Sequence, residues 1–107
     1  MAITYDDFKK LELRVGRIKE VSDHPNADRL YVVTVDMGDK TKQVVAGVKN
    51  FYKKEDLAGK LVVMVDNLEP AMLRGVESQG MILAASDDAG LSIVTIDGER
   101  KLGSVVK

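Results

Sequence analysis

The segment Gly75-Val76-Glu77-Ser78-Gln79-Gly80 sets a serine between two glycines, and it is the first place to look for a nucleophile. A hydrolase elbow needs its glycine two residues before the serine, because the strained strand-to-helix turn packs tightly there. Here the glycine stands three before, and His24, the only histidine, lies far upstream. The segment is not a phosphate-cradling loop either, since Gly80 is followed by Met81-Ile82 and not by Lys and Ser or Thr. No two glycines are spaced as G-x-G. The acid doublets Asp6-Asp7 and Asp87-Asp88 fall where helix capping and solvation explain them better than acid–base work. The absence of cysteine excludes disulfides, zinc ribbons and thiol nucleophiles, and a lone histidine excludes a two-histidine metal motif. The expectation is a chain with no catalytic residue, no cofactor and no metal.

Binding chemistry is the remaining possibility. Net charge is −1, which announces no nucleic acid, although residues 1–53 carry an excess of cations and 54–107 an excess of acids. Single-strand binders present aromatic platforms. Of the five aromatics, only Tyr31 falls in an expected barrel strand; Tyr5 and Phe8 lie in an N-terminal helix, and Phe51 and Tyr52 open another. An RNA partner would therefore be gripped by its folded shape, through phosphates, 2′-hydroxyls and a few exposed bases.

The elements that must position such contacts follow from periodicity. Leu, Ile, Val and Phe make up 32 of 107 residues, about 30%, enough for the core of one domain. No apolar run approaches the ~20 residues of a membrane span, and the polar start is unlike a signal peptide, so a cytoplasmic location is expected. Thr4 and Asp7 predict a capped first helix with Phe8 and Leu11 turned to the core. Leu11, Leu13 and Val15 alternate with polar residues, then the apolar phase moves to Ile18, so a bulge or bend is expected at Gly16. His24 to Asp28 reads as a turn, 29–36 and 41–48 as a hairpin pair, 51–57 as a short helix ended by Gly59, and 61–65 and 81–85 as the fourth and fifth strands. Residues 67–80 read as a long loop, with one helical turn at 71–73. Leu91 to Ile96 and Glu99 to Val106, joined by Asp97-Gly98, predict an added hairpin. This order predicts an all-β OB-fold, a five-stranded Greek-key barrel with short helices, over about 11–86, with a C-terminal extension at 87–107. The leftover apolar strands predict a homodimer that covers them; the alternative is that they fold over their own barrel.

Several blocks now stand in one order: Leu13-Arg14-Val15-Gly16-Arg17-Ile18, His24-Pro25-Asn26-Ala27-Asp28-Arg29-Leu30, Gln43-Val44-Val45-Ala46-Gly47, and Leu73-Arg74-Gly75-Val76-Glu77-Ser78-Gln79-Gly80-Met81. In this the chain resembles the tRNA-binding domain found at the C-terminus of methionyl-tRNA synthetases, as their separate beta subunit, and as free-standing tRNA-binding proteins. It is similar also to the C-terminal module of the endothelial-monocyte-activating polypeptide family. The resemblance implies an OB-fold, no catalysis, structure-selective tRNA binding, a homodimer, and partnership with a methionyl-tRNA synthetase catalytic chain. It implies tRNA contacts at Asn26, Arg29, Lys42, Gln43, Arg74, Ser78, Gln79 and Met81. Arg74, in a loop before glycine, is the strongest candidate for RNA contact, and six of the others have a plainer alternative. Asn26 would stabilise its turn, Arg29 and Lys42 would be solvated edges, Ser78 and Gln79 would tie down loop backbone, and Met81 would pack in the core. Glu69 and Met72 stand where relatives often carry basic or polar residues, which weakens phosphate attraction near the loop. A dimeric export-chaperone-like OB-fold protein that binds unfolded peptide is the rival from another class; its relatives lack the intact His24–Arg29 and Gly75–Met81 blocks.

Overall fold

A computed structural model describes residues 1–107. Helix α1 (Tyr5–Phe8) starts where expected, with the Thr4 hydroxyl accepting from the Asp7 N–H at 3.1 Å. Strand β1 (Leu13–Asp23) then runs for 11 residues and bends, serving two neighbours in turn. Its first half pairs with β4 (Leu61–Val65), from Leu13↔Val65 to Arg17↔Leu61, and its second half with β2 (Tyr31–Asp36), from Arg17↔Asp36 to Asp23↔Tyr31. Strand β3 (Thr41–Ala46) returns alongside β2. After the single-turn helix α2 (Lys54–Leu57), β4 leads towards β7 (Met81–Ile82), so the main sheet runs β3-β2-β1-β4-β7. This is the nearly closed antiparallel barrel expected of an OB-fold. Tyr31, Val33 and Val35 alternate inward from β2, and with Ile18, Val44, Leu57, Val62 and Met64 they fill the interior.

Four local expectations change. The register slip in β1 lies between Ile18 and Glu20, not at Gly16. Gly16 is instead a place of close approach: a Cβ there would sit 2.5 Å from Val35 Cγ1 and 2.8 Å from Met37 Sδ. Leu11 is exposed, because α1 lies at the surface and only its Phe8 is partly covered. The expected loop at 67–80 contains a hairpin of β5 (Ala71–Leu73) and β6 (Val76–Ser78), with no helical turn. Its short strands with exposed apolar residues show no period to read. The expected C-terminal hairpin does not form. Leu91 and its neighbours, as β9 (Gly90–Ile93), pair back with β8 (Ala84–Asp87), while β10 (Val105–Val106) pairs with Leu13 and Arg14 on the side of β1 that β2 leaves free. Leu91 and Ile93 pack against the barrel's own core. The Asp97-Gly98 turn signal is met locally, Gly98 having φ +118°, but no ladder follows.

Gly16→Ala should therefore overpack the β1–β2 contact, at a cost of about 1–3 kcal/mol, where each kcal/mol lowers Tm by about 4–8 °C in a domain of this size. Thermal melting followed by circular dichroism checks this; an unchanged Tm would mean that Val35 and Met37 move aside freely.

Candidate functional site

The connection from β1 to β2 is held closed by the His24 N–H donating to the Leu30 carbonyl. Inside it, His24 is 5% exposed, and its Nδ1 accepts the Asn26 backbone N–H at 2.9 Å. Its Nε2 stands 2.9 Å from the Leu73 carbonyl. One ring nitrogen accepts and the other must donate, so the imidazole is neutral and protonated on Nε2. Asn26 continues the link across chain segments. Its Nδ2 donates to the Arg74 carbonyl at 3.1 Å, and Arg74 Nη2 returns a bond to the Asn26 carbonyl at 3.3 Å. The fold thus joins the His24–Arg29 block to the Leu73–Met81 block.

Arg74 and Gly75 are the two turn residues of the β5–β6 hairpin, with φ of +54° and +90°. Positive φ at both positions is the tight primed turn, which favours Asn-Gly. An arginine there costs roughly 1 kcal/mol in backbone strain. The result is a guanidinium displayed on an exposed tip.

Below the tip, residues 78–80 strap the hairpin to the open edge of β3. The Ser78 hydroxyl is buried, accepts the Val45 N–H at 3.0 Å and donates to the Gly80 carbonyl at 3.1 Å. The Gln79 N–H donates to the Gln43 carbonyl at 2.7 Å, and the Gln79 side-chain oxygen accepts the Gln43 N–H at 2.9 Å. Gln43 Nε2 donates to the Glu77 carbonyl at 2.8 Å. The Gln43 amide nitrogen, the Ser78 hydroxyl and the Gln79 side-chain oxygen thus bind backbone, in the tie-down arrangement, while Gln79 Nε2 donates to Glu77 Oε1 at 3.1 Å. Met81 is 46% exposed at the start of β7, beside an apolar recess.

Lys42, although next to Gln43, is not brought to the Asn26–Arg74 junction. Its Nζ lies 2.8 Å from Asp66 Oδ1, and it stands opposite Val35, four residues along β3 from Ala46, the partner of Tyr31. That spacing is about 13 Å of strand. Lys40 Nζ reaches Asp66 Oδ2 at 3.0 Å, with Arg14 Nε at 3.7 Å. Burial alone would raise the Asp66 carboxyl's pKa; hydrogen bonds from Lys42 and Lys40, with their charges, outweigh it and hold the group below its ordinary value. Asp23 is likewise held low, by hydrogen bonds from Lys49 and Lys54. Arg29 is exposed on the same connection as Asn26 and enters no ion pair of the chain.

Sequence reasoning took His24 for a turn residue and passed over Asp66. A lone histidine before proline signals a turn; its Leu73 partner is 49 residues on, beyond any local pattern.

Comparison with known proteins places the chain among relatives. A family model described as "Putative tRNA binding domain" matches residues 13–105. The chain is 57% identical over 105 residues to a methionine–tRNA ligase of Thermococcus kodakarensis, covering 98% of this chain and 14% of that one. It is 55% identical over 107 residues to the ligase of Pyrococcus abyssi, covering 100% of this chain and 15% of that one. The chain therefore spans about one seventh of the length of these relatives. Among solved structures, a MetRS related protein from Pyrococcus horikoshii superposes with a TM-score of 0.93 at 30% identity, covering 100% of this chain and 99% of that one. A CsaA chaperone protein from Picrophilus torridus gives 0.91 at 35% identity, covering 99% and 100%.

The Asp66 cluster predicts acid sensitivity. Folding lowers this carboxyl's pKa from its ordinary 3.8, so its stabilisation is complete at neutral pH and is lost as pH falls through the lowered value. Asp66→Asn should already melt lower than the wild type at pH 7, and its Tm should fall less below about pH 4. Parallel melting curves from pH 7 to 2 check this; equal acid slopes would remove Asp66 as a source.

Proposed function

The chain belongs to the tRNA-binding domain family, and on that premise we propose that it binds folded tRNA without chemistry of its own, alone or as the tRNA-binding part of a methionyl-tRNA synthetase in the cytoplasm. The observation that carries this reading is the junction of Asn26 and Arg74. It holds one exposed cation on a strained turn and a second, Arg29, on the connection beside it. Two arginines displayed on turns are suited to phosphates of a defined shape. Tyr31, the one aromatic inside a barrel strand, is 4% exposed with its hydroxyl on the Tyr52 carbonyl, so that strand offers bases no stacking surface. Recognition then rests on shape. Within a synthetase, such a module would raise the local concentration of tRNA at the catalytic domain.

A second reading has its own support. An apolar recess of about 180 Å³, lined by Val45, Ala46, Val48, Met81, Leu91 and Ile93 among others, lies beside the end of β3. Taken with the likeness to a chaperone, it fits an apolar side chain of an extended peptide.

Assembly as a homodimer belongs to the proposal. Its support is narrower than two free apolar strands, because Leu91 and Ile93 cover the chain's own core; Val94 and Val105 stay exposed, at 37% and 61%. Light scattering should give a dimeric mass for the whole chain and a monomeric one for a Val94→Glu, Val105→Glu double variant. A monomeric wild type at micromolar concentration overturns it.

Titrations with folded tRNA, heat-denatured tRNA and an unfolded peptide test the first reading against the second. Folded tRNA should bind best, and the log–log salt slope should flatten by about 0.7–0.9 in Arg74→Ala, one phosphate contact, with Tm nearly unchanged. Equal binding of the two RNA forms overturns shape recognition. Peptide binding in preference to both would favour the recess.

A further inference from the structure

Arg74 is strained, and strain persists only where surrounding groups over-determine it. Peptide units are planar, so the two units flanking an α-carbon set its φ and ψ. The unit before Arg74 ends in the Leu73 carbonyl, which faces His24 Nε2 at 2.9 Å. The unit after it contains the Arg74 carbonyl, which accepts from Asn26 Nδ2 at 3.1 Å. Both units are therefore gripped from the β1–β2 connection. The hairpin's own three residue pairs join it to no other strand, so nothing in the main sheet's ladder fixes the tip.

We propose that His24 is a positioning residue for Arg74: its neutral, Nε2-protonated imidazole and Asn26 clamp the two peptide units around the strained arginine, and so aim the guanidinium at RNA. This rests on the reading of Arg74 as an RNA contact. The imidazole suits the task because it is rigid, buried, and anchored at its other nitrogen by the Asn26 N–H. The same ring thus orders the asparagine that holds the second peptide unit. His24 itself needs no contact with the RNA, since its two nitrogens are already bonded within the protein.

Two conservative variants of the whole chain separate these bonds. In His24→Asn the side-chain oxygen takes the place of Nδ1 and keeps the Asn26 turn, but nothing reaches Leu73. In His24→Gln the amide nitrogen takes the place of Nε2 and keeps the hairpin link. His24→Asn, which loses the Leu73 bond, and His24→Gln, which loses the Asn26 N–H anchor, should each weaken folded-tRNA binding about fivefold, the worth of one hydrogen bond. In an Arg74→Ala background, His24→Asn should change affinity by less than about twofold, because the two act as one unit. A folded His24→Asn that binds as tightly as the wild type overturns the proposal, and so does the same loss in both backgrounds. Should Arg74→Ala bind like the wild type, the reading of Arg74 as a contact falls, and the clamp with it. If Arg74→Ala binds weakly and His24→Asn does not, only the clamp falls. Long-range 1H–15N spectra of the wild-type ring at neutral pH decide the geometry even if a variant fails to fold. A proton on Nε2 supports the clamp, and a proton on Nδ1 overturns it.

Discussion

The open edge of β3 is the constraint on which the rest of the molecule turns. One side of the strand carries the ladder to β2; the other has part-buried donors and no strand paired to it by a ladder. A buried N–H left without a partner costs about 1–3 kcal/mol. Gln43 and Val45 meet theirs in the side-chain oxygens of Gln79 and Ser78, and the Gln79 N–H answers the Gln43 carbonyl. The approach is close enough that Gly80 has no room for a side chain: a Cβ would lie 2.8 Å from Met64 Cε and 2.9 Å from the Val65 carbonyl. Because two side chains close this seam in place of a strand, the residues just before it are free of the sheet. They form the hairpin whose tip reaches the β1–β2 connection.

Charge is placed with similar consequence. Lys40, Lys42 and Arg14 converge on Asp66, Lys49 and Lys54 on Asp23, and Arg17 on Glu99. Six of the sixteen lysines and arginines that could draw an anion are thereby occupied at home. The exposed arginines on turns, Arg29 and Arg74, gain weight from this. Glu69 just before the hairpin and the exposed Met72 within it add no cation. A nucleic-acid surface built this way depends on where a few charges stand more than on how many there are.

Much of this architecture was legible in the chain. The alternation in Tyr31-Val32-Val33-Thr34-Val35 sets an inward and an outward face before any partner is known, because side chains of a strand alternate by geometry. Thr4 caps a helix and Gly59 ends one (φ +86°) for reasons contained in a few neighbouring residues. The order of strands and one short helix was enough for the barrel, and the two motif blocks were enough for the family.

What the sequence could not determine are the facts that join distant residues. Nothing local pairs Leu91 with β8 in place of the Glu99–Val106 segment; the barrel's core decides it, because Leu91 and Ile93 find cover there. Nothing local turns Lys42 inward, since it is Asp66, buried at the end of β4, that fixes the ammonium. Residues 71–78 carry no period, and only their closure on β3 makes them a hairpin. His24 looks like any turn histidine until the fold brings the Leu73 carbonyl to its second nitrogen. Periodicity and turn residues are properties of short windows, so they gave most of the barrel's elements, while the two motif blocks carried the resemblance to the family. Hydrogen bonds and ion pairs across 20 to 50 residues form only where the barrel brings their ends within about 3 Å, so tertiary structure alone decided which candidates meet, which are spent on the fold, and which face outward.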